Sequence, residues 1–397
     1  MRRFLLRLPL AAFLVWCVVV ETAEAFASRL FAVQFDGDWF LIFAASDPGE
    51  IGRFFSMYAA PLGVALAAIA GLSAAAVYLT FRLRGRAFTV FALAAAAFAG
   101  LRIAACGKGW KPLYVAWDTA VRAADYRALV EAGAWTPERA AAVEPAPPGA
   151  TNLVIVIGES LTSDRMGLYG YAGRTTPELA SLGGRLAVLG PVTTTEPYTA
   201  RSLTKMLSRR GGTLPVALRL GGYRTALVSA QNHWERYCGI EQMVFAACEK
   251  KTYLGDDAKG AAHFDGDLVA LALAEMADGG DGRPFAVFLH MMGSHFPPGD
   301  RVPEGFAAGE GLDDYDRSVR YTDCVLARLI RALPPRTALV FTSDHGESVD
   351  RPGWRDLRSK SLWRVPLLVY PAEAAGSFKG VTDVGEIWYN GSDVKKP

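Results

Sequence analysis

The chain has 397 residues, of which 51% are hydrophobic and 21% charged, and its formal net charge is +2. This length suits one large domain with a smaller region beside it. The near-neutral charge argues against nucleic acid as a partner, because such binding needs a clear excess of basic residues. The mean hydropathy of +0.17 is high for a soluble protein, and the apolar residues are concentrated before residue 107.

Three apolar segments in this first part are candidate membrane spans: Phe4–Val20, Phe55–Phe81 and Ala87–Cys106. The second exceeds the ~20 residues that a bilayer core needs, and the other two approach that length. Arginines precede the first segment and fill the loop Arg82–Arg86, whereas the loop after the first segment is acidic. Because basic loops stay in the cytoplasm, we expect everything after Cys106 to lie outside it.

An alternative interpretation treats the first segment as a cleaved signal peptide, because Ala23–Ala25 (AEA) resembles a cleavage site. It leaves the sidedness of the chain unchanged, since a cleaved chain would also begin outside the cytoplasm.

Five cysteines are present, and Cys17 lies within the first span. Cys238 and Cys248 are close together in the exported part, where disulfides form, so we expect a bridge between them. Cys106 and Cys324 cannot be paired from the sequence.

Residues 107–150 connect the apolar region to the rest of the chain. Lys111–Ala132 has a helical pattern with aromatic residues that suit a membrane surface, although such a helix could equally pack on the exported domain. Val143–Ala150 (VEPAPPGA) is typical of a stiff Pro-rich linker. We therefore divide the chain into a transmembrane region of about three helices (1–106), an interfacial helix and linker (107–150), and an exported domain (151–397).

In the exported domain, strand-like and helix-like segments alternate. Apolar, β-branched runs predict strands at Leu153–Ile157, Thr225–Ser229, Phe285–Met291, Ala338–Ser343 and Val365–Tyr370. Helical patterns occur near Pro177–Gly184, Ala200–Arg209, Asp265–Met276 and Asp314–Leu333. Alternation of this kind predicts an α/β domain with a mainly parallel sheet.

Two of the predicted strands end on residues that can bind a metal ion. The first runs into Gly158-Glu159-Ser160, and another runs into Asp344-His345-Gly346-Glu347. Active sites of open α/β sheets lie beyond the carboxyl ends of the strands, and carboxylates with histidine suit a zinc-like ion. The alternative is structural: a helix cap at Glu159-Ser160 and a turn with a surface histidine at His345.

A third strand ends in His290 and His295, in the segment FAVFLHMMGSHFPP. His290 still lies within the apolar run, so it is either a packed histidine or one that faces the cleft. His295 follows the strand and is the better candidate for contact with substrate.

A Thr-rich loop, Thr193–Thr195, leads into the predicted helix that follows Thr199. A threonine at a helix N-terminus is usually a cap. It can also be a nucleophile, because the helix N-terminus stabilises an anion and a bound metal lowers the pKa of the hydroxyl. Thr193, Thr194 and Thr195 compete with Thr199 for this role.

These segments together resemble the membrane-anchored phosphoethanolamine transferases of Gram-negative bacteria, sulfatase-like enzymes of the alkaline phosphatase superfamily. The resemblance covers most of Asn152–Tyr370 and rests on four motifs in the same order. They are GESLTSDRMGLYGYAGRTTPEL (158–179), TARSLTKMLS (199–208), HMMGSHFP (290–297) and SDHGES (343–348).

The resemblance implies a fold, a location and a mechanism. It implies that Glu159, Thr199, Asp344 and His345 hold a catalytic zinc ion, with Thr199 as the nucleophile. His295, with His290, would bind the substrate phosphate. The donor would be phosphatidylethanolamine and the acceptor a lipid A, a core sugar or another envelope glycan. The implied place is the bacterial inner membrane, with a sulfatase-like catalytic domain in the periplasm.

The chain departs from the family pattern in three places. The family usually has a further histidine after the Asp-His-Gly-Glu turn, whereas Val349–Val369 has none and carries basic residues, which we interpret as solvated surface charge. Members usually have about five spans and not three. The tail from Gly380 does not resemble the closing helix of the family.

Three other functions remain as alternatives. A glycerol-phosphate transferase or phosphodiesterase of the same superfamily would use the same residues. A sulfatase is disfavoured, since no Cys-x-Pro-x-Arg surrounds the predicted nucleophile. A non-catalytic envelope protein that kept the fold is suggested by the missing late histidine, but the intact Glu159, Thr199, Asp344 and His345 argue against it.

Overall fold

The structure is a computed structural model. It describes residues 7–31, 35–37, 39, 48–105, 111–133, 143, 145–146, 151–194, 196–209, 212–231, 244–254, 263–277, 282–349, 356–378 and 380–387. The chain divides into two compact units, Met1–Arg127 and Ala128–Pro397. The boundary falls inside a helix, and the domain limits predicted at residues 106 and 150 stay predictions.

The described part of the first unit is helical. Its helices are α1 (Leu8–Phe31), α2 (Pro48–Met57), α3 (Ala59–Arg82), α4 (Gly85–Ala105) and α5 (Lys111–Gly133). By length and composition, α1, α3 and α4 could each cross a membrane. They overlap the three predicted spans, and α5 coincides closely with the helix predicted after them.

Helix α1 continues well past the predicted end of its span at Val20. Glu21, the first acidic residue after that point, forms a bidentate ion pair with Arg102 of α4, with an Nη2–Oε2 distance of 2.7 Å. A paired carboxylate does not end an apolar helix, because its charge is matched within the bundle. Ala27 and Phe31 are buried in the continuation, and the sequence AEA at Ala23–Ala25 lies inside this helix.

The second unit is built on a seven-stranded sheet. Its strands are β1 (Asn152–Gly158), β2 (Ala187–Thr193), β5 (Arg224–Ser229), β6 (Lys250–Tyr253), β7 (Phe285–His290), β8 (Thr337–Ser343) and β9 (Arg364–Tyr370). A separate hairpin joins β3 (Ser208–Arg209) and β4 (Gly212–Thr213). The order in the large sheet is β2-β9-β8-β1-β7-β5-β6. All pairings in it are parallel except those of β9 with β8 and with β2.

Helices accompany this sheet, as predicted for an α/β domain. They are α6 (Pro177–Ala180), α7 (Thr199–Leu207), α8 (Leu214–Leu220), α9 (Asp265–Ala277) and α10 (Asp314–Ala332). Strands β1, β7 and β8 are almost fully buried, and Val156, Leu289 and Phe341 belong to the core together with Leu326 of α10. The predicted fold class is confirmed: a mainly parallel α/β domain that follows a helical, apolar region.

All five strands predicted from apolar runs are present, but the sequence missed the edge strands β2 and β6. Lys250–Tyr253 reads KKTY and is half exposed, and Ala187–Thr193 contains Gly190 and Pro191. Neither has the continuous apolar run of a central strand, because an edge strand is covered on fewer sides. The helix expected to end at Arg209 ends at Leu207, since Ser208–Arg209 enters the short hairpin.

The predicted disulfide between Cys238 and Cys248 is not formed at Cys248. This residue carries a free thiol that is 4% exposed in the core. Burial raises the pKa of the Cys248 thiol to about 12, so the thiol is neutral and packs as a small apolar group. Cys238 and Cys106 lie outside the described residues, and Cys324 is also a free thiol.

Candidate metal centre at the strand ends

Strands β1 and β8 are neighbours in the middle of the sheet and end at the same level. Their register pairs Gly158 with Ser343, so Glu159 and Asp344, the next residues, leave the sheet side by side. This place is the one that the sequence predicted for them, because the carboxyl ends of parallel strands meet at one edge.

Glu159, Asp344 and His345 form one buried cluster. They are 1%, 0% and 0% exposed, and each offers a ligand atom within 4.8 Å of the other two. His345 Nε2 lies 3.5 Å from Glu159 Oε1 and 3.3 Å from Asp344 Oδ2. Neither Glu159 nor Asp344 forms an ion pair with a lysine or arginine of the described residues. No basic side chain in that part of the chain therefore neutralises the two carboxylates.

Hydrogen bonds hold Asp344 by one oxygen and leave the other directed into the cluster. Oδ1 accepts the backbone N–H of Ser160 at 3.1 Å and that of His345 at 2.7 Å. Oδ2 is buried and has no hydrogen-bond partner. A buried carboxylate oxygen without a donor is costly unless a cation binds it.

His345 is oriented by its own turn. Its Nδ1 lies 2.8 Å from the carbonyl oxygen of Gly346, and a carbonyl can only accept, so Nδ1 carries the proton. In the neutral ring Nε2 therefore presents its lone pair to the two carboxylates, which is the arrangement of a metal-binding histidine. Gly346 has no room for a side chain, because a Cβ there would overlap the carbonyl of Ser361.

The turn after β1 is held in an unusual backbone conformation. Ser160 has φ 56°, a left-handed value that costs a non-glycine residue about 1–2 kcal/mol. Tyr315 stabilises the turn, since its hydroxyl donates to the carbonyl of Ser160 at 2.7 Å and accepts the N–H of Thr162 at 2.9 Å. Ser160 Oγ donates to Glu159 Oε1 at 2.7 Å and so positions the carboxylate, whereas the cap of the next helical turn is Thr162.

Thr199 brings a hydroxyl to this cluster from the first residue of α7. Its Oγ1 donates to Glu159 Oε2 at 2.9 Å and lies 3.4 Å from His345 Nε2. Ser202, one turn later, donates to the carbonyl of Asp344 at 2.5 Å and ties the helix to the same turn. The N-terminus of α7 therefore lies beside the cluster, and a helix N-terminus can stabilise an anion.

The competing threonines have other partners. Thr193 Oγ1 donates to the carbonyl of Thr382 at 3.0 Å, and Thr194 Oγ1 donates to that of Glu196 at 2.9 Å. Thr195 lies outside the described residues. Of the described candidates, Thr199 is the one whose hydroxyl contacts the cluster.

The loop that carries His295 contacts the backbone of Glu159. The N–H of Ser294 donates to the carbonyl of Glu159 at 2.9 Å. His295 Nδ1 lies 2.9 Å from the carbonyl oxygen of Phe296 and 3.2 Å from Arg301 Nη2. The Nδ1 atom is therefore in contact with residues that closely follow His295 in the chain. His290 is 1% exposed at the end of β7, outside the three-residue cluster. Substrate contact by either histidine stays a prediction.

Asp265, at the start of α9, holds this loop and was not singled out from the sequence. Its carboxylate is 2% exposed and accepts the N–H of Met292 at 2.7 Å and that of Gly293 at 2.8 Å. Burial raises the pKa of Asp265 to about 6, against the two backbone hydrogen bonds that lower it. No local pattern marks this role, because the loop lies 27 residues further along the chain.

We expect Asp265→Asn to weaken both the fold and the cluster. An amide can accept only one of the two N–H groups, and leaving the other buried without an acceptor costs about 1–3 kcal/mol. Asp323→Asn is the matched control, because Asp323 is also buried and accepts the N–H groups of Glu178 and Leu179 away from the site. Thermal unfolding and bound metal measure the two effects: both variants should lose stability and only Asp265→Asn should lose metal. Equal metal loss in both would contradict this role.

Gly293 allows the loop to approach Glu159 closely. It has φ 51°, and a Cβ there would lie 2.5 Å from the carbonyl oxygen of Glu159 and 2.8 Å from its nitrogen. We expect Gly293→Ala to destabilise the chain by about 2–5 kcal/mol, as a sum of backbone strain and overpacking. Gly305→Ala is the control, since Gly305 has φ 78° but open space around it; its cost should be only about 1–2 kcal/mol. Thermal unfolding of both variants tests the difference, and equal shifts would contradict the steric argument.

The basic segment after the cluster is only partly described, since residues 350–355 are outside the described ranges. Arg358 forms a bidentate ion pair with the buried Asp356, and Arg364 pairs with Asp164 at 2.9 Å. Both arginines are about half exposed, which agrees with solvated surface charge. No histidine follows His345 in the chain.

The cluster fits a divalent cation. Two carboxylates, an imidazole nitrogen with its lone pair inward and a hydroxyl are donors of the kind that zinc binds. The Asp344 oxygen without a hydrogen-bond partner is the atom that a cation would satisfy. A buried cluster that could hold a metal ion therefore lies beside a threonine at a helix N-terminus, at the carboxyl edge of a mainly parallel sheet.

Residues 151–379 match the sulfatase family. This is more than half of the chain, and the chain therefore belongs to the sulfatase family. The predicted resemblance is confirmed by its relatives. Phosphoethanolamine transferase EptC of Escherichia coli (strain K12) is 28% identical over 261 residues, which cover 56% of this chain and 45% of EptC. The Kdo(2)-lipid A phosphoethanolamine 7''-transferase of the same strain is 26% identical, with the same coverage. The chain thus spans about half the length of these relatives.

Two solved structures share the fold. The integral membrane protein lipooligosaccharide phosphoethanolamine transferase A of Neisseria meningitidis superposes with a TM-score of 0.58 at 19% identity, over 93% of this chain and 78% of that one. The C-terminal periplasmic domain of EptC from Escherichia coli, in complex with Zn, has a TM-score of 0.53 at 24% identity, over 61% of this chain and 84% of that domain. At these identities the likeness concerns the fold.

Proposed function

We propose that this chain transfers phosphoethanolamine from phosphatidylethanolamine to an acceptor in the cell envelope, such as lipid A, a core sugar or another glycan. One observation carries the proposal: the hydroxyl of Thr199 lies at a helix N-terminus within hydrogen-bond distance of Glu159, inside a cluster that fits a metal ion. The names of the relatives support the group transferred.

In the proposed site, Glu159, Asp344, His345 and Thr199 would hold a zinc ion. The ion, when bound, supplies positive charge that lowers the pKa of a nearby hydroxyl and stabilises negative charge on a phosphoryl oxygen. The relative solved with Zn supports this choice of metal, as do the nitrogen and oxygen donors of the cluster.

Each residue has a defined task in the first half of the reaction. Thr199 Oγ1 attacks the phosphorus of the lipid, and its proton leaves along the hydrogen bond that it now donates to Glu159 Oε2. The bond from phosphorus to the glycerol oxygen breaks, this oxygen takes up the proton that Thr199 released, and diacylglycerol leaves. The N–H groups at the start of α7 face the phosphoryl oxygens as charge develops on them. His295 is assigned to the substrate phosphate.

In the second half, a hydroxyl or phosphate oxygen of the acceptor attacks the same phosphorus. The bond to Thr199 breaks and Thr199 takes up the proton that the acceptor hydroxyl releases, so the enzyme returns to its starting state. Because a covalent phosphoethanolamine-threonine separates the two halves, the kinetics should be of the ping-pong type.

The proposed location follows from the membrane helices and the lipid donor. Three helices of the described part could anchor the chain, and the arginines that flank them favour a cytoplasmic N-terminus. We assign the chain to the bacterial inner membrane, with the catalytic site in the periplasm, where envelope acceptors are found.

The test is to incubate the purified full chain, loaded with zinc, with phosphatidylethanolamine labelled in its head group. We expect labelled phosphoethanolamine on Thr199, located by mass spectrometry of proteolytic peptides. A zinc-loaded protein that acquires no label would contradict this donor. Label on another threonine would contradict the assignment of the nucleophile.

A further inference from the structure

A groove runs along the membrane helices of the first unit, between α1, α3 and α4. Its volume is about 840 Å³, within the range of ~300–1,000 Å³ that is usual for sites of small molecules. Along α1 it extends from Phe13 to Leu30, which corresponds to about 26 Å of helix. None of its lining residues belongs to the candidate metal centre.

Two polar ties join the helices around this groove at different levels. At one level, the guanidinium of Arg7 donates to the carbonyl of Thr80 at 2.8 Å and lies 3.9 Å from the ring centre of Phe88. At the other, Arg102 binds Glu21 in a bidentate ion pair. The two levels are 14 residues apart on each helix, or about 21 Å. A charged pair within a span is costly and usually has a function.

Between the ties, the walls are apolar, and the side formed by α3 combines alanines with larger apolar residues. Phe13 and Val18 of α1 face Phe91 and Phe98 of α4 across the groove. On α3, four of the eight lining residues are alanines, namely Ala65, Ala68, Ala75 and Ala76, and the other four are Pro61, Val64, Leu72 and Leu79. Since small residues leave the space between larger neighbours unfilled, this part of the groove can hold hydrocarbon chains.

The other end of the groove is polar and carries one net positive charge. Glu21, Thr22 and Arg29 line it. The charge of Glu21 is matched by Arg102, whereas Arg29 is exposed and forms no ion pair with any residue that the structure describes. An apolar channel that ends at a guanidinium is complementary to an amphiphile with an anionic head group, because arginine binds phosphate oxygens in a bidentate manner.

We propose that this groove binds one glycerophospholipid molecule, with its acyl chains between α1, α3 and α4 and its phosphate at Arg29. The occupant is recognised by hydrocarbon length and by one phosphate. Diacylglycerol, which has the same chains and no phosphate, is therefore held less tightly. This site lies in the membrane unit and does not depend on the proposed transfer reaction.

The test measures lipid binding to the full chain in detergent by native mass spectrometry. All variants carry Thr199→Ala, so that the lipid is not consumed and the result stands whether or not the transfer proposal is correct. The probes are dioleoyl phosphatidylethanolamine and dioleoylglycerol. We expect the phospholipid to bind about tenfold more tightly, the order expected of one charge-assisted hydrogen-bonded contact.

Two pairs of variants separate this site from unspecific lipid at the protein surface. Arg29→Gln should abolish the preference for the phospholipid, whereas Arg84→Gln, in the loop at the opposite end of the spans, should keep it. Ala68→Trp fills the groove from the side of α3 and should lower the binding of both lipids about tenfold or more. Leu66→Trp is its control, because Leu66 is 57% exposed on the same helix and does not line the groove. Equal binding of the two lipids to the parent chain, or equal effects within either pair, would overturn the proposal.

Discussion

Thr199→Ala is expected to abolish transfer, with a loss of about 10⁴-fold or more, as is usual when a catalytic nucleophile is removed. The loss should fall on the chemical step, since the variant keeps Glu159, Asp344 and His345, the other proposed zinc ligands, and the helix N-terminus. Labelled phosphatidylethanolamine should leave no phosphoethanolamine on the variant protein. Thr199→Ser keeps a hydroxyl at this position and should keep measurable transfer.

Thr204→Ala is the matched control for this experiment. Thr204 lies on the same helix, and its hydroxyl donates to the carbonyl of Ala200 at 2.8 Å, away from the cluster. It should retain transfer close to that of the unaltered chain. Undiminished transfer by Thr199→Ala would contradict the nucleophile assignment and would direct attention to Thr193 and Thr194.

Removal of a metal ligand is expected to have the second large effect. His345→Ala and Glu159→Ala should each bind zinc more than ~100-fold more weakly, because even outer partners of metal ligands contribute 10–100-fold. Zinc content after dialysis, measured by atomic absorption, reports this loss without any need for activity. The unaltered chain should also lose thermal stability on treatment with a chelator, since a metal that binds only the folded state stabilises it.

His263→Ala is the control for loss of a histidine. His263 is partly exposed and approaches Asp267 at 4.0 Å, far along the chain from the cluster residues. It should keep full zinc occupancy. Full occupancy in both Glu159→Ala and His345→Ala would refute the ligand assignment, whatever their activity.

The candidate site was largely predictable because its residues follow unmistakable strands. Asn152–Gly158 and Thr337–Ser343 are continuous apolar runs, as expected of strands covered on both faces. The polar residues that follow such runs must lie at an edge of the sheet, so Glu159 and Asp344-His345 could be placed near one another. That the two strands are direct neighbours, with Gly158 opposite Ser343, could not be read from either segment.

Choosing among the threonines needed three-dimensional contacts. Thr193, Thr194 and Thr199 are all plausible from local sequence, because all precede or begin the same helix. The structure separates them by their hydrogen bonds: only Thr199, of these three, reaches Glu159. The part of Asp265 in holding the His295 loop was missed for a similar reason, since its partners are backbone N–H groups that any residue could supply.

By itself, the sequence determined the strongly periodic or strongly apolar elements: three long apolar helices, the central strands and the residues at their ends. These follow from local patterns, because burial of a strand or a span requires apolar side chains whatever its neighbours are. Only the tertiary structure decided the edge strands, the free thiol of Cys248, the length of α1 beyond Val20 and the groove beside it. Each of these depends on a partner distant in the chain, such as Arg102 for Glu21, and the energy of such a contact is absent from any local pattern.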